Sequence, residues 1–297
     1  MMNDPRCTLC PRKCGADRAV RPGYCGAGDA IRLARAMPHF WEEPCISGKS
    51  GSGAIFFSGC TLRCVFCQNR AISTENFGKE VTPDRFRQIC FELKAAGVHN
   101  INLVTPDAYA EMIVPVLEAI KEELGLPIVL NCGGYLSPEQ VELFARVADV
   151  WLPDFKYADG ALAAHLSGAG DYPEVALAAI RRMVDRAGKP VFDADGLLRS
   201  GVLVRHLVLP GERKNSIAAV EMLRGAFDSD QILLSLMAQY TPNGAKGAPT
   251  RRITAFEYRS VLEAVEAAGF EGYCQSPDSA KAEYTPDFAL QGVLWQA

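Results

Sequence analysis

The chain has 297 residues, 48% of them hydrophobic and 22% charged, with 31 basic against 35 acidic side chains and a net charge of −4. That balance suits a folded α/β chain with one large domain and an appendage, excludes a largely disordered one, and argues against a broad nucleic-acid-binding surface. No apolar run reaches the ~18 residues of a membrane span, the first residues lack the charged and apolar regions of a signal peptide, and a cytoplasmic protein is expected.

Cysteine usage is high, at eleven. In a reducing compartment, clustered cysteines are better read as metal ligands than as disulfides. Four of them, Cys7, Cys10, Cys14 and Cys25, fall near the start among glycines and prolines. Four thiolates can close a coordination sphere, either around zinc in a small knuckle or around an iron–sulfur cluster that relays an electron inward. The segment HFWEEPCISG follows. Its Trp41, Glu42 and Glu43 read as rim or docking residues, and Cys45 as a buried thiol or an extra ligand.

From Gly53 onward, apolar strand-like runs alternate with helical patterns, the signature of βα units around a parallel sheet. AIFFSG is the first strand, and GCTLRCVFCQN after it places Cys60, Cys64 and Cys67 on one loop. A helix follows with Thr82 as N-cap, Pro83 at its first position and Gly97 at its stop. Asn100 to Pro106 is the second strand, Ala108 to Leu124 its helix, and Pro127 to Gly134 the third strand, with a helix opening at Ser137. Val150 to Tyr157 is the fourth strand, and Tyr172 to Ala187 is helical. A hairpin at Asp195-Gly196 leads into the fifth strand, Gly201 to Pro210. Gln231 to Tyr240 is the sixth, and Ala255 to Ala268 a final helix.

The stretch from Gly53 on approaches the ~250 residues of an eight-unit barrel, yet only six units are legible. The expectation is a partial (β/α)6 TIM-type barrel over residues 53–297, with a small cysteine-rich metal-binding extension over residues 1–52. The working face should lie at the C-terminal ends of the strands, and so should Thr105, Asn131, Asp154 and Arg205.

A [4Fe–4S] cluster takes four thiolates, so a loop that supplies three leaves one iron open. The string CTLRCVFC, with gaps of three and two residues and an aromatic before the last cysteine, resembles the signature of the radical S-adenosylmethionine (SAM) superfamily. The resemblance implies that Cys60, Cys64 and Cys67 hold the cluster, that SAM occupies the open iron, and that Phe66 packs near the adenine. A three-cysteine zinc site completed by histidine is the competing reading.

After Asn69 the chain is most similar to activating enzymes of glycyl-radical enzymes, in the pyruvate formate-lyase activating-enzyme-like branch. That likeness implies an oxidoreductase served by a reductant such as flavodoxin or ferredoxin, with a glycyl-radical enzyme as partner. Where those relatives carry Gly-Gly-Glu for the SAM amine, this chain has Val104-Thr105-Pro106, so only the Thr105 hydroxyl and backbone carbonyls are offered there. Asn131 in NCGG corresponds to a ribose or methionine position, or simply forms a turn. Asp154 and Lys156 in PDFKY would position the SAM carboxylate or a substrate peptide, or form a barrel-mouth ion pair. Arg205 matches an arginine that pairs with the SAM carboxylate, and Gln239 a further SAM contact or a lining residue. His206 should face the other side of its strand. Two alternatives stand beside this reading: a radical SAM enzyme acting on a small molecule or another protein side chain, and a non-enzymatic metal-binding or electron-transfer protein.

Overall fold

The computed structural model describes residues 6–275 and 288–294. In chain order the elements are β1 (Ile31–His39), α1 (Pro44–Ser47), β2 (Ser52–Phe57), α2 (Arg70–Ser73), β3 (Lys79–Val81), α3 (Pro83–Ala95), β4 (Ile101–Val104), α4 (Ala110–Leu124), β5 (Ile128–Cys132), α5 (Pro138–Phe144), β6 (Val150–Pro153), α6 (Gly160–Ser167), α7 (Tyr172–Ala187), β7 (Val191–Phe192), β8 (Leu198–Leu207), α8 (Arg213–Ala226), β9 (Leu233–Met237), α9 (Ala255–Ala268) and β10 (Gly272–Cys274).

Strands β2, β4, β5 and β6 are buried along their whole length, as parallel strands covered on both faces must be. They continue through β8 and β9 to β10 in one parallel run, and the whole sheet has the order β10-β9-β8-β6-β5-β4-β2-β1-β3, with β1 and β3 paired antiparallel. The run does not close on itself, so this is the expected partial barrel. Helices α3, α4, α5, α7, α8 and α9 touch one another in succession around its outside. Their starts are fixed locally: the Thr82 hydroxyl accepts from the Arg85 N–H, and Ser137 with Gln140 and Thr254 with Glu257 form reciprocal capping boxes. The hairpin expected at Asp195-Gly196 is present as β7 against β8, with Gly196 at φ +76°.

The sequence reading did not anticipate the antiparallel strand β1, which pairs with β2 from Leu33↔Phe57 to His39↔Ser52. Residues on both sides of position 52 therefore share one sheet. The chain then turns inward: Cys45 and Ile46 of α1 pack with Val129, Val150, Leu152, Leu203 and Leu233, the inward-facing residues of four parallel strands. Asn100 Nδ2 donates to the Ile46 carbonyl at 2.8 Å. This plug fills the barrel below its mouth and carries Glu42 and Glu43 to the interior, so these two are not the exposed rim residues that their polarity suggests.

Candidate active site

The three-cysteine loop follows β2 and lies at the C-terminal mouth. Its backbone reverses at Gly59, whose φ of +84° suits glycine, and a Cβ there would stand 2.6 Å from the Cys25 carbonyl oxygen. Cys60, Cys64 and Cys67 all line one cavity of about 1370 Å³, its solvent-open mouth included. The Cys64 thiol accepts from Ser167 Oγ at 2.9 Å, and that hydroxyl lies 2.6 Å from the Tyr157 hydroxyl. Burial pushes the Cys60 and Cys67 thiols up, and their neighbouring cysteines add to it. Phe66 is buried, edge-on to Tyr157 at 6.5 Å and to Tyr240 at 6.4 Å.

Every strand-end residue anticipated from the sequence reaches this cavity: Thr105, Asn131, Asp154, Lys156, Arg205 and Gln239. Four of them form one partly buried polar network. Arg205 donates from Nε to Asp154 at 2.9 Å, from one terminal nitrogen to Asn131 Oδ1 at 2.6 Å, and from the other to Glu42 at 3.3 Å. Asn131 Nδ2 donates back to Glu42 at 3.2 Å, and Lys156 Nζ donates to the second oxygen of Asp154. Burial drives the Asp154 carboxyl upward, but Arg205 and Lys156 outweigh it and hold the group below its ordinary value. Glu42 and Glu43 are raised, because burial exceeds the help they receive from Arg205.

Thr105 occupies the left-handed region at φ +57°, a strained state for a β-branched residue. Its N–H donates to the Asn131 carbonyl at 2.8 Å. The Gln239 carbonyl accepts from Gln68 Nε2 at 2.7 Å, which ties the sixth barrel strand back to the cysteine loop. His206 faces away from the cavity, with Nδ1 2.6 Å from the Phe155 carbonyl. Cys132 edges the cavity, but it follows Asn131 on the strand and packs with Leu130 in the helix-facing core. Cys45 belongs to the internal plug.

The amino-terminal cysteines pack directly against the three-cysteine loop. The Cys60 N–H donates to the Cys25 carbonyl at 2.9 Å. Arg12 donates to the carbonyls of Thr61 and Ser167 at 2.8 Å each and stacks over Tyr24 and Tyr135. A Cβ on Gly23 would meet the thiols of Cys14 and Cys25 at 3.4 and 3.6 Å, and Cys7 lies within reach of Cys14. Asp107 sits between the two groups, near Cys10 and Cys60. Its Oδ1 has no partner, and burial pushes it up to about 7.

Among the described residues, no three His, Cys, Asp or Glu side chains converge on a single-ion position. The thiolates of a [4Fe–4S] cube each bind a different iron, so they must ring a space rather than meet at a point. The three loop cysteines line one cavity, and beside them lies a polar wall of both signs, suited to a zwitterionic ligand. The residues present thus fit a cluster and an amino-acid-bearing cosubstrate. What sequence reasoning missed is Glu42, Glu43 and Ser167. The signal available for the first two was a pair of carboxylates set between Trp41 and Pro44 in an otherwise apolar segment.

Residues 54–223 match the family model for the radical SAM superfamily. The chain is 27% identical over 272 residues to the uncharacterized protein MJ0674 of Methanocaldococcus jannaschii, a match covering 88% of this chain and 74% of that one. In fold it is similar to Streptococcus suis SuiB bound to S-adenosylmethionine, with TM-score 0.54 and 15% identity over 73% of this chain and 48% of SuiB. SuiB bound to precursor peptide SuiA matches with TM-score 0.52 and 16% identity, over 73% of this chain and 46% of that one. A radical SAM methyltransferase from Sphaerobacter thermophilus has TM-score 0.52 and 18% identity, over 77% of this chain and 69% of that one. The chain therefore spans about half the length of SuiB. No helix among the described residues is long and apolar enough to cross a membrane.

Proposed function

The chain belongs to the radical SAM superfamily, and from its site we propose that it cleaves SAM reductively and uses the product to take a hydrogen atom from a substrate. The observation that carries this is the meeting of three thiols with the Arg205–Asp154–Lys156–Asn131–Glu42 network in one cavity. The [4Fe–4S] cluster that these residues would hold would supply the electron for reductive cleavage of the sulfonium C–S bond of SAM to methionine and a 5′-deoxyadenosyl radical.

The chain's own residues bind and orient. Cys60, Cys64 and Cys67 would each hold one iron of the cluster. Ser167 donates to the Cys64 sulfur, which stabilises it as thiolate. Arg205 presents a forked donor to a carboxylate, and Asp154 locks its orientation. Glu42 offers the carboxylate that the Val104-Thr105-Pro106 strand end lacks, on the same cavity wall. Phe66, Tyr157 and Tyr240 screen the site from water.

Cys7, Cys10, Cys14 and Cys25 hold a second metal centre in this reading. Their abutment on Cys60 favours an iron–sulfur relay over zinc, because electrons then have a short bonded route inward. A low-potential donor of the flavodoxin or ferredoxin class would supply them.

For the substrate, the motif resemblance favours a glycyl-radical enzyme that accepts its radical in the open barrel. SuiB, bound to a precursor peptide, supports a polypeptide substrate more generally. The strained Thr105 and the inward Glu42 and Glu43 favour a second reading, in which the substrate is a small molecule or another side chain. Anaerobic reconstitution with iron and sulfide, followed by reduction with SAM present, tests the reaction. Formation of 5′-deoxyadenosine is expected, and its absence with a full cluster would contradict the proposal. A glycyl-radical signal on a co-incubated partner would decide between the two substrates.

A further inference from the structure

A second cavity adjoins the first. Glu43, Ser235, Tyr273 and Gln275 line it, and it shares Glu42 and Arg205 with the cavity that holds the cysteines. Material bound in one therefore lies beside the other.

Glu43 is out of place there on structural grounds alone. It precedes α1, but its side chain makes no capping bond. It is only 8% exposed, and its Oε2 is enclosed without any hydrogen-bond partner. Leaving a buried acceptor unsatisfied is costly, and more so for a charged group. Arg205 helps Glu43 only electrostatically and makes no hydrogen bond to it, its bonds going to Asp154, Asn131 and Glu42. Across the two cavities three carboxylates, Glu42, Glu43 and Asp154, face two cations, Arg205 and Lys156. On formal charges the walls carry one negative charge in excess, and one enclosed oxygen of Glu43 is unpartnered.

We propose that this second cavity is the substrate chamber, and that Glu43 receives a cationic nitrogen group of the substrate, an ammonium or a guanidinium. The role as substrate chamber rests on the radical SAM reading of the first cavity; the preference for a cation does not. The same chemistry has two sources, a small amine or a lysine or arginine side chain on a peptide.

The test uses the purified full chain without reconstitution. Saturation-transfer NMR is recorded with n-butylammonium and agmatine, with neutral n-pentanol and anionic pentanoate as isosteres, and with a capped Ala-Lys-Ala peptide. The cations should bind and the isosteres should not, and Glu43→Gln should weaken the cations by about tenfold or more. Tighter binding of the peptide than of butylammonium assigns a polypeptide source, and the reverse order a small amine. Equal binding of pentanoate, no cation binding, or cation binding unchanged in Glu43→Gln overturns the proposal. Where Glu43→Gln does not fold, Tyr273→Trp, which narrows the same cavity, must weaken the cations likewise; unchanged affinity there also overturns it. A wild-type protein that binds the cations but never forms 5′-deoxyadenosine after reconstitution would defeat the cofactor reading and leave the cation site standing.

Discussion

The peptide N–H of Cys60 donates to the carbonyl of Cys25 at 2.9 Å, so the two cysteine groups are joined by one backbone hydrogen bond between a cysteine of each. The contact is possible because Gly59 has no side chain: a Cβ would sit 2.6 Å from that same carbonyl. Gly59→Ala should therefore separate the groups, and its φ of +84° adds strain. Iron and acid-labile sulfide per chain should fall by at least half after reconstitution. Full incorporation in the variant would contradict the packing.

Arg205→Lys should not be conservative. One ammonium cannot reach Asp154, Asn131 and Glu42 together, as the three guanidinium nitrogens do. The charge is kept but two of the three partly buried bonds are lost, so the unfolding free energy should fall by about 1–3 kcal/mol, read by urea titration of the unloaded protein. SAM affinity of the reconstituted variant should fall by about tenfold or more.

Much of this site was legible in the sequence, for a physical reason. Parallel strands read as apolar runs with polar residues where they end, so Asn131, Asp154 and Arg205 declared themselves as mouth residues, and alternation sent His206 outward. Caps at Thr82 and Ser137 were legible because capping is a local hydrogen-bond pattern. Glu42 and Glu43 were not. Their burial depends on α1 entering a barrel built from strands that come later in the chain, and no local period reports that. Strand β1 was missed for a similar cause: its pairing partner β2 read as the first strand, and nothing in Ile31–His39 alone says that it covers that strand's other edge.

His206 should give an acid limb to stability. Burial lowers its pKa from 6.5 to about 4. Between those values the unfolded chain takes up a proton that the folded one refuses. The stabilisation is complete above pH 6.5 and is lost as pH falls toward 4, by about 3 kcal/mol for a shift of this size. His206→Gln removes the titration, and its unfolding free energy should decline less steeply across that window.

Arg85 holds the carboxy-terminal segment. Fully buried on α3, it pairs with Glu92 and donates to the carbonyls of Gly292, Val293 and Leu294, each at 3.0 Å. Arg85→Met keeps apolar bulk but leaves three carbonyls and a carboxylate short of a donor. A loss of about 2–4 kcal/mol in urea unfolding is expected, with early proteolysis near residue 290.

The most direct measurement is electron paramagnetic resonance of the reduced, reconstituted protein with and without SAM, in the wild type and in Cys10→Ala, which would take away a contribution from the proposed amino-terminal centre. An iron left free by Cys60, Cys64 and Cys67 must respond when SAM binds it, so the spectrum of the loop cluster should shift in both proteins. A spectrum that SAM leaves unchanged would show that no iron in the cavity is open, and the account of the site would be wrong.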